Sequence, residues 1–336
     1  MARVAVVTGG SAGIGLATAE HFAQRGWSVA ILARDPTRLE DAAVRLRRSG
    51  KPVLALPTDV ADAEAVEAAA ARVERELGPI RAWINNAMST VVSPADRITP
   101  EEYRRVTETT YLSQVYGTLA ALRRMKPRNR GAIIQVSSGL AIRAAPLQAP
   151  YCAAKFAVSG FTDSLRAELI HDRCDVSLSV VYLPAVNTPQ FGWARSRTGH
   201  APRVPDPVFD PRLCAEAIYG AVAKPRRELW VGRSSLLMAA AQALAPGFAD
   251  RKAADAWDTM LSDEAAADRR GNLDAPVPGP AAIDGPAVDR TKTTRTEYWT
   301  SRERDLLVLG LAGAFLLGGA ALARVASAPR RMLTRV

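Results

Sequence analysis

The sequence predicts a doubly wound α/β fold, a mostly parallel seven-stranded sheet with helices on both faces. Two observations carry that expectation. Near-continuous apolar, β-branched runs (VAVVT at 4–8, SVAILA at 28–33, VLALP at 53–57, RAWI at 81–84, AIIQVS at 132–137, SLSVVYL at 177–183 and ELWVG at 228–232) alternate with longer segments of helical period. Strands buried on both faces and joined by crossover helices have this pattern. The first run also leads straight into a glycine-rich loop, TGGSAGIG at 8–15, and then into an amphipathic segment that stops at Gly26. With 336 residues and 48% hydrophobic composition, the chain has ample material for a buried core.

After the first strand, Gly9, Gly13 and Gly15 allow a tight turn and close approach of a ligand, and the following helix offers unpaired N–H groups to a pyrophosphate. Ser11 and Ile14 lie in the same loop. The second strand ends at Ala33, followed by Arg34. An arginine there accommodates the 2′-phosphate of NADP, so NADP(H) is preferred. Asp35, next in the chain, keeps NAD(H) open, or else caps the helix that begins near Pro36. The third strand is followed by Asp59 and Val60, with Asp59 either a helix cap or an adenine-side contact. Asn85 and Asn86, with Ala87, end the fourth strand where a cofactor groove would lie, although Asn there also forms turns. Ser138 ends the fifth strand. Thirteen residues on, YCAAK places Tyr151 and Lys155 one helical turn apart, on one face.

In order and spacing, TGGSAGIG, Asp59-Val60, NNA at 85–87, VSS at 136–138 and YCAAK resemble the short-chain dehydrogenase/reductase family over about residues 1–232. The resemblance implies a Rossmann-like NAD(P)-dependent oxidoreductase that moves hydride between a nicotinamide and a ketone or secondary alcohol, and commonly a homo-oligomer. It makes Tyr151 the general acid/base, Ser138 the group that polarises the substrate oxygen, and Lys155 the holder of the nicotinamide ribose. Lys155 is also expected to lower the phenol pKa through its positive charge. Pro184 and Thr188, after the sixth strand, match the family's contacts to the nicotinamide. Three departures stand out. Thr110 and Ser113 replace an N-x-x-G pattern that serves a proton relay, Met88 replaces a glycine, and Ala185 replaces the glycine of Pro-Gly. Threonine still offers the backbone carbonyl that such a relay uses. The competing reading is a dinucleotide-binding sensor or scaffold without efficient catalysis. The stretch 190–211 is expected to cover the substrate, with Phe191 and Trp193 as walls and Arg195, Arg197 and Arg203 as anion partners or merely exposed cations.

Residues 1–235 thus read as the dinucleotide-binding catalytic domain. Beyond it the pattern turns helical at 236–265, with no further strand, and then Pro/Gly-rich at 266–305, as a linker or as chain lying on the surface. Residues 306–323 are eighteen uncharged, mostly apolar residues between arginines, about 27 Å of helix and a candidate membrane anchor. Gly310, Ala314 and Gly318 recur every four within it, and a basic tail follows at 324–336. The net charge of +10 is spread along the chain without a basic stripe interleaved with aromatics, so no nucleic-acid partner is expected. Three widely spaced cysteines form no CxxC or metal-ligand pattern, which points to reduced thiols, no metal, and a cytoplasmic catalytic domain. The N-terminal apolar run is too short for a signal peptide and reads as a strand.

Overall fold

A computed structural model of the chain describes residues 3–293, 298–311 and 313. The strands of the central sheet are β1 (Val4–Thr8), β2 (Ser28–Ala33), β3 (Val53–Pro57), β4 (Ile80–Asn85), β5 (Ala132–Ser138), β6 (Ser177–Leu183), β7 (Glu228–Val231) and β8 (Tyr298–Thr300). Their order across the sheet is β8-β7-β6-β5-β4-β1-β2-β3. Strands β1 to β7 pair in parallel, so the direction of winding reverses between β1 and β4. Open α/β sheets bind ligands at such a switch point, beyond the carboxyl ends of the strands.

Both faces are covered. Helices α1 (Gly13–Gln24), α2 (Pro36–Arg47) and α7 (Pro211–Ala223) bury Leu16, Phe22, Leu39 and Ile218 against Ala5, Val7 and Ile31 on one side. On the other, α3 (Ala63–Leu77), α5 (Ser113–Met125) and α6 (Ala149–His171) bury Val66, Val73, Met125 and Leu165 against Val4, Val6 and Ile133. Local chemistry sets the helix ends. Gly26 stops α1 at φ +81°, where its N–H reaches the Ala23 carbonyl while Trp27 N–H reaches Phe22 and the two rings meet edge to face. Asp35 caps α2 through the N–H groups of Thr37 and Arg38, and Asp62 caps α3 through Glu64 and Ala65. Helix α4 (Pro100–Thr107) opens with a Thr99–Glu102 capping box, then passes through a π-helical turn at Glu108–Leu112 into α5.

Two expectations need correction. Among the described residues the sheet has eight strands, not seven, and strands do occur after 236: β8 pairs antiparallel to β7, Leu261–Ala265 pairs with His200–Pro202, and Thr291–Lys292 pairs with Val208–Phe209. These pieces are two to five residues long, too short for a period of two to stand out in the sequence. Beyond β8, residues 301–311 are helical, and Arg304 donates to Glu228 at 2.6 Å while lying over Trp230. Among the described residues no helix is long and apolar enough to cross a membrane. Apart from 306–311 and 313, the candidate anchor at 306–323 lies outside the described residues, as does the basic tail at 324–336.

The Pro/Gly-rich stretch is packed against the body of the protein. Leu273 and Ile283 are fully or almost fully buried, at 0% and 2% exposure; each such side chain contributes roughly 1.5–3 kcal/mol of apolar burial. A chain so rich in proline makes few backbone bonds with itself, and its carbonyls are met by arginines of the sheet domain.

Candidate active site

A cavity of about 510 Å³ runs along the carboxyl ends of the strands, from Arg34 and Asp59 at one end to Ser138 and Tyr151 at the other. The glycine loop forms its floor. A Cβ on Gly15 would sit 2.1 Å from the Gly9 carbonyl oxygen, so only glycine fits there, and Gly13 turns at φ +53°. Helix α1 has no side-chain cap; its Gly13 N–H meets the Ala282 carbonyl at 2.8 Å, which leaves the N–H groups of Ile14 and Gly15 available to an anion. The Thr8 hydroxyl accepts from the N–H groups of Asn86 (2.9 Å) and Ala87 (3.0 Å), and Asn86 Nδ2 donates to the Thr8 carbonyl at 2.9 Å. These bonds pin the NNA turn beside the loop. Gly9, Ser11, Gly13, Ile14, Gly15, Arg34, Asp59, Val60, Asn86, Ala87, Tyr151, Lys155, Pro184 and Thr188 all line the cavity. Shape and donors therefore fit a dinucleotide.

At the adenosine end Arg34, Asp35 and Arg38 all line the cavity, with Asp35 also capping α2 through one carboxylate oxygen. Asp59 does two jobs. One oxygen accepts from Ala61 N–H at 3.0 Å and the other from Arg105 at 2.6 Å. Burial works against the charge, but the Arg105 bond and the bond from Ala61 together hold the carboxyl below its ordinary range. Sequence reasoning did not single out Arg105, because it comes from α4, more than forty residues away.

At the other end three side chains converge. Ser138 Oγ accepts from Leu140 N–H at 3.1 Å and lies close enough to the Tyr151 phenol to lower its pKa. Lys155 Nζ donates to the Val136 carbonyl at 2.8 Å and lies 5.6 Å from the centre of the Tyr151 ring. The electrostatics differ from the expectation that the ammonium pulls the phenol down. Burial dominates both groups: it pushes the Tyr151 phenol above its usual value, with only a smaller lowering from Ser138, and it brings the Lys155 ammonium down to about 7. Desolvation disfavours whichever form is charged, so the pair is held toward its neutral forms.

Other expected site residues take supporting places. Thr110 is fully buried and does not reach the cavity. Its hydroxyl donates to the Ser89 carbonyl at 2.9 Å and accepts from Ser89 N–H at 3.0 Å, which ties the π-helical turn to the chain after β4. Asn85 lies beneath the groove, not in it: it accepts from Trp83 and donates to Gln114, Thr118 and Gln135. Met88 lines the cavity and also packs beside Tyr151, Val91 and Leu273.

The stretch from 190 lines the cavity with Phe191 and Trp193, and the Trp193 ring lies under Arg38, 4.3 Å from its guanidinium, on the side of Arg34 and not beside Tyr151 as expected. Its arginines are occupied. Arg195 and Arg197 both bond the buried carboxylate of Glu102; burial opposes that charge, yet the two arginines hold it at about 2. Arg203 lies 3.7 Å from Asp206. A lid clamped to α4 by a buried carboxylate follows from these contacts, and the sequence offered only the capping-box role of Glu102. Residues of the C-terminal extension, among them Met238 and Met260, complete the walls. Their signal was absent because no short motif marks them.

A glycine cradle at the switch point, joined by one cavity to a Ser-Tyr-Lys cluster, defines a dinucleotide-dependent oxidoreductase. The chain belongs to the short-chain dehydrogenase family, whose model matches residues 3–198. It is similar to "Uncharacterized oxidoreductase YxnA" of Bacillus subtilis, 32% identical over 251 residues that make up 74% of this chain and 70% of that one. It also resembles "Dehydrogenase/reductase SDR family member 7" of Homo sapiens, 36% identical over 167 residues, 48% of this chain and 49% of the relative. Among solved structures it matches an alcohol dehydrogenase from the archaeon Thermococcus sibiricus complexed with 5-hydroxy-NADP. The TM-score is 0.59 at 26% identity, over 69% of this chain and 96% of that one. The protein is a dehydrogenase/reductase that uses a nicotinamide cofactor.

Proposed function

We propose that the protein reduces the carbonyl of an apolar ketone or oxidises the corresponding secondary alcohol, with NADP(H) as the preferred cofactor. The convergence of Ser138, Tyr151 and Lys155 on the cavity that begins at the glycine loop carries this reading. The glycine loop and the first turn of α1 hold the pyrophosphate, Arg34 the 2′-phosphate, and Lys155, Pro184 and Thr188 the nicotinamide end. When bound, the nicotinamide supplies or accepts the hydride. Ser138 is already fixed by Leu140 N–H, so its own proton is free to polarise the substrate oxygen. Tyr151 donates the proton to that oxygen in reduction and removes it in oxidation. A phenol that burial keeps protonated suits the reductive direction. Met88, Leu140, Phe191 and Met260 give the substrate end an apolar wall.

The cofactor preference rests on Arg34, while Asp35 caps its helix through one carboxylate oxygen. Arg34→Ala is expected to weaken NADPH by roughly 10- to 100-fold, as loss of a charge-assisted phosphate contact does, and to leave NADH within about twofold. Fluorescence titration of both cofactors checks this, and an unchanged NADPH/NADH ratio would refute it.

The run at 306–323 supports a second, independent proposal, a C-terminal membrane anchor with the catalytic domain on the cytoplasmic side. Leu306, Leu309 and Leu311 are exposed where that run begins. Removing residues 314–336 spares Arg304 and its bond to Glu228 and leaves too short an apolar run to span a bilayer. The full chain is expected in the membrane fraction and the shortened chain in the supernatant. A full chain already in the supernatant would exclude the anchor.

A further inference from the structure

Residues 272–287 lie beyond the stretch that the family model matches, yet they close the adenosine end of the groove. Asn272 and Pro276 line the cavity. Arg34, the residue assigned to the 2′-phosphate, donates to the carbonyls of Asn272, Leu273 and Asp274, two of them at 3.1 Å. Arg38 donates to the carbonyls of Val277 and Gly279. Further along, the ties are of another kind. The Ala282 carbonyl accepts from Gly13 N–H at 2.8 Å, Ile283 enters the main core, and Gly285 and Ala287 N–H bond Asn187.

We propose that this segment is a strap whose first part, 272–279, swings off the adenosine end while 282–287 stays anchored, and that the 2′-phosphate drives the swing by taking Arg34. The inference rests on the NADP(H) reading above. A phosphate dianion is a stronger partner for a guanidinium than neutral carbonyls are, because charge-assisted, bidentate bonds are roughly twice as strong as neutral ones. The same N–H groups cannot serve both fully. Once Arg34 turns to phosphate, the carbonyls of Asn272 and Asp274 lose their partner while that of Leu273 keeps Arg105 Nε at 3.3 Å, and a carbonyl without a partner turns to water. The remaining hold on that part is Arg38, the Arg105 bond to the Leu273 carbonyl, the buried Leu273 side chain, the Arg195–Asp274 pair and the bonds of Asn272 to Gln190 and Trp193. In the C-terminal part only the Ala282 carbonyl, on Gly13 N–H at the pyrophosphate site, meets a competing anion; Ile283 is held by the core and the N–H groups of Gly285 and Ala287 by Asn187. Cofactor choice and access to the groove are thereby read by one side chain.

The test is hydrogen exchange on the full chain with 2′,5′-ADP as probe and 5′-AMP as control, in wild type and Arg34→Ala. With 2′,5′-ADP, the amide of Asn272, bonded to the Trp193 carbonyl, is expected to exchange at least about tenfold faster while those of Gly285 and Ala287, bonded to Asn187, keep their protection; 5′-AMP leaves both unchanged. Asp274→Asn, which cuts the exposed tie to Arg195, is expected to speed NADPH association about two- to fivefold, the range an exposed ion pair supports. If 2′,5′-ADP binds through Arg34 and exchange at Asn272 does not rise, the strap is refuted and the cofactor reading stands. If 2′,5′-ADP binds Arg34→Ala as tightly as wild type, both fall.

Discussion

Tyr151→Phe is expected to lower kcat by about 100- to 10,000-fold, the range for removing a general acid, with NADPH affinity unchanged. The substitution removes one oxygen and keeps the ring, which packs among Val91, Ile98, Val106 and Leu273. Cofactor binding should therefore survive, because the pyrophosphate and adenosine ends of the cavity are built by other elements. Ser138 keeps its bond from Leu140 and can still polarise a carbonyl, so a residual rate remains. The measurement is single-turnover NADPH oxidation with a panel of ketones, run beside a fluorescence titration. Retained binding with lost turnover separates a proton donor from a packing residue. Equal turnover by wild type and variant would remove Tyr151 from the chemistry, and no turnover by wild type on any carbonyl would revive the sensor or scaffold reading.

Much of this site was legible before any coordinates. The glycine spacing has one physical cause, the 2.1 Å clearance at Gly15, and such steric demands leave a fixed mark in sequence. Tyr151 and Lys155 share a helical face by arithmetic alone. What was not legible depends on partners far apart in the chain. Arg105 reaches Asp59 from α4, Glu102 gathers two arginines from the lid, and the carbonyls of 272–274 reach Arg34 across more than two hundred residues. Backbone acceptors leave no mark at all, since every residue has one. The edge strand at Tyr298–Thr300 was missed for a related reason: three residues give no period, and its place is fixed by pairing with β7. Thr110 shows the limit from the other side. The sequence drew attention to it as a departure, but its hydroxyl does structural work on Ser89.

Lys155→Met is expected to act in opposite directions on activity and stability. Turnover should fall by at least about 100-fold, because the variant loses the group proposed to hold the nicotinamide ribose beside Tyr151. Protein purified without cofactor should become more stable, by roughly 2–4 kcal/mol at pH 7. Burial has brought the Lys155 ammonium to about 7 in the folded chain, whereas the unfolded chain holds that proton up to about 10.4. Between those values the unfolded state binds more protons, so the wild-type unfolding free energy rises with pH across that window. Below pH 7 both states carry the proton and the full cost of burying the charge is felt. Above about pH 10.4 neither does, and that cost is gone. Methionine has no such proton and fills similar space, although it gives up the bond to the Val136 carbonyl. The stability gap between variant and wild type should therefore be widest near pH 7 or below and close toward pH 10. Urea unfolding at pH 6.5, 8 and 10 measures it, and parallel pH slopes for the two proteins would show that Lys155 is not buried at this cost. Saturating NADPH should stabilise wild type far more than Lys155→Met. A buried ammonium is thus a standing cost in the free chain that cofactor binding recovers, as expected where a charge is kept for function and not for folding.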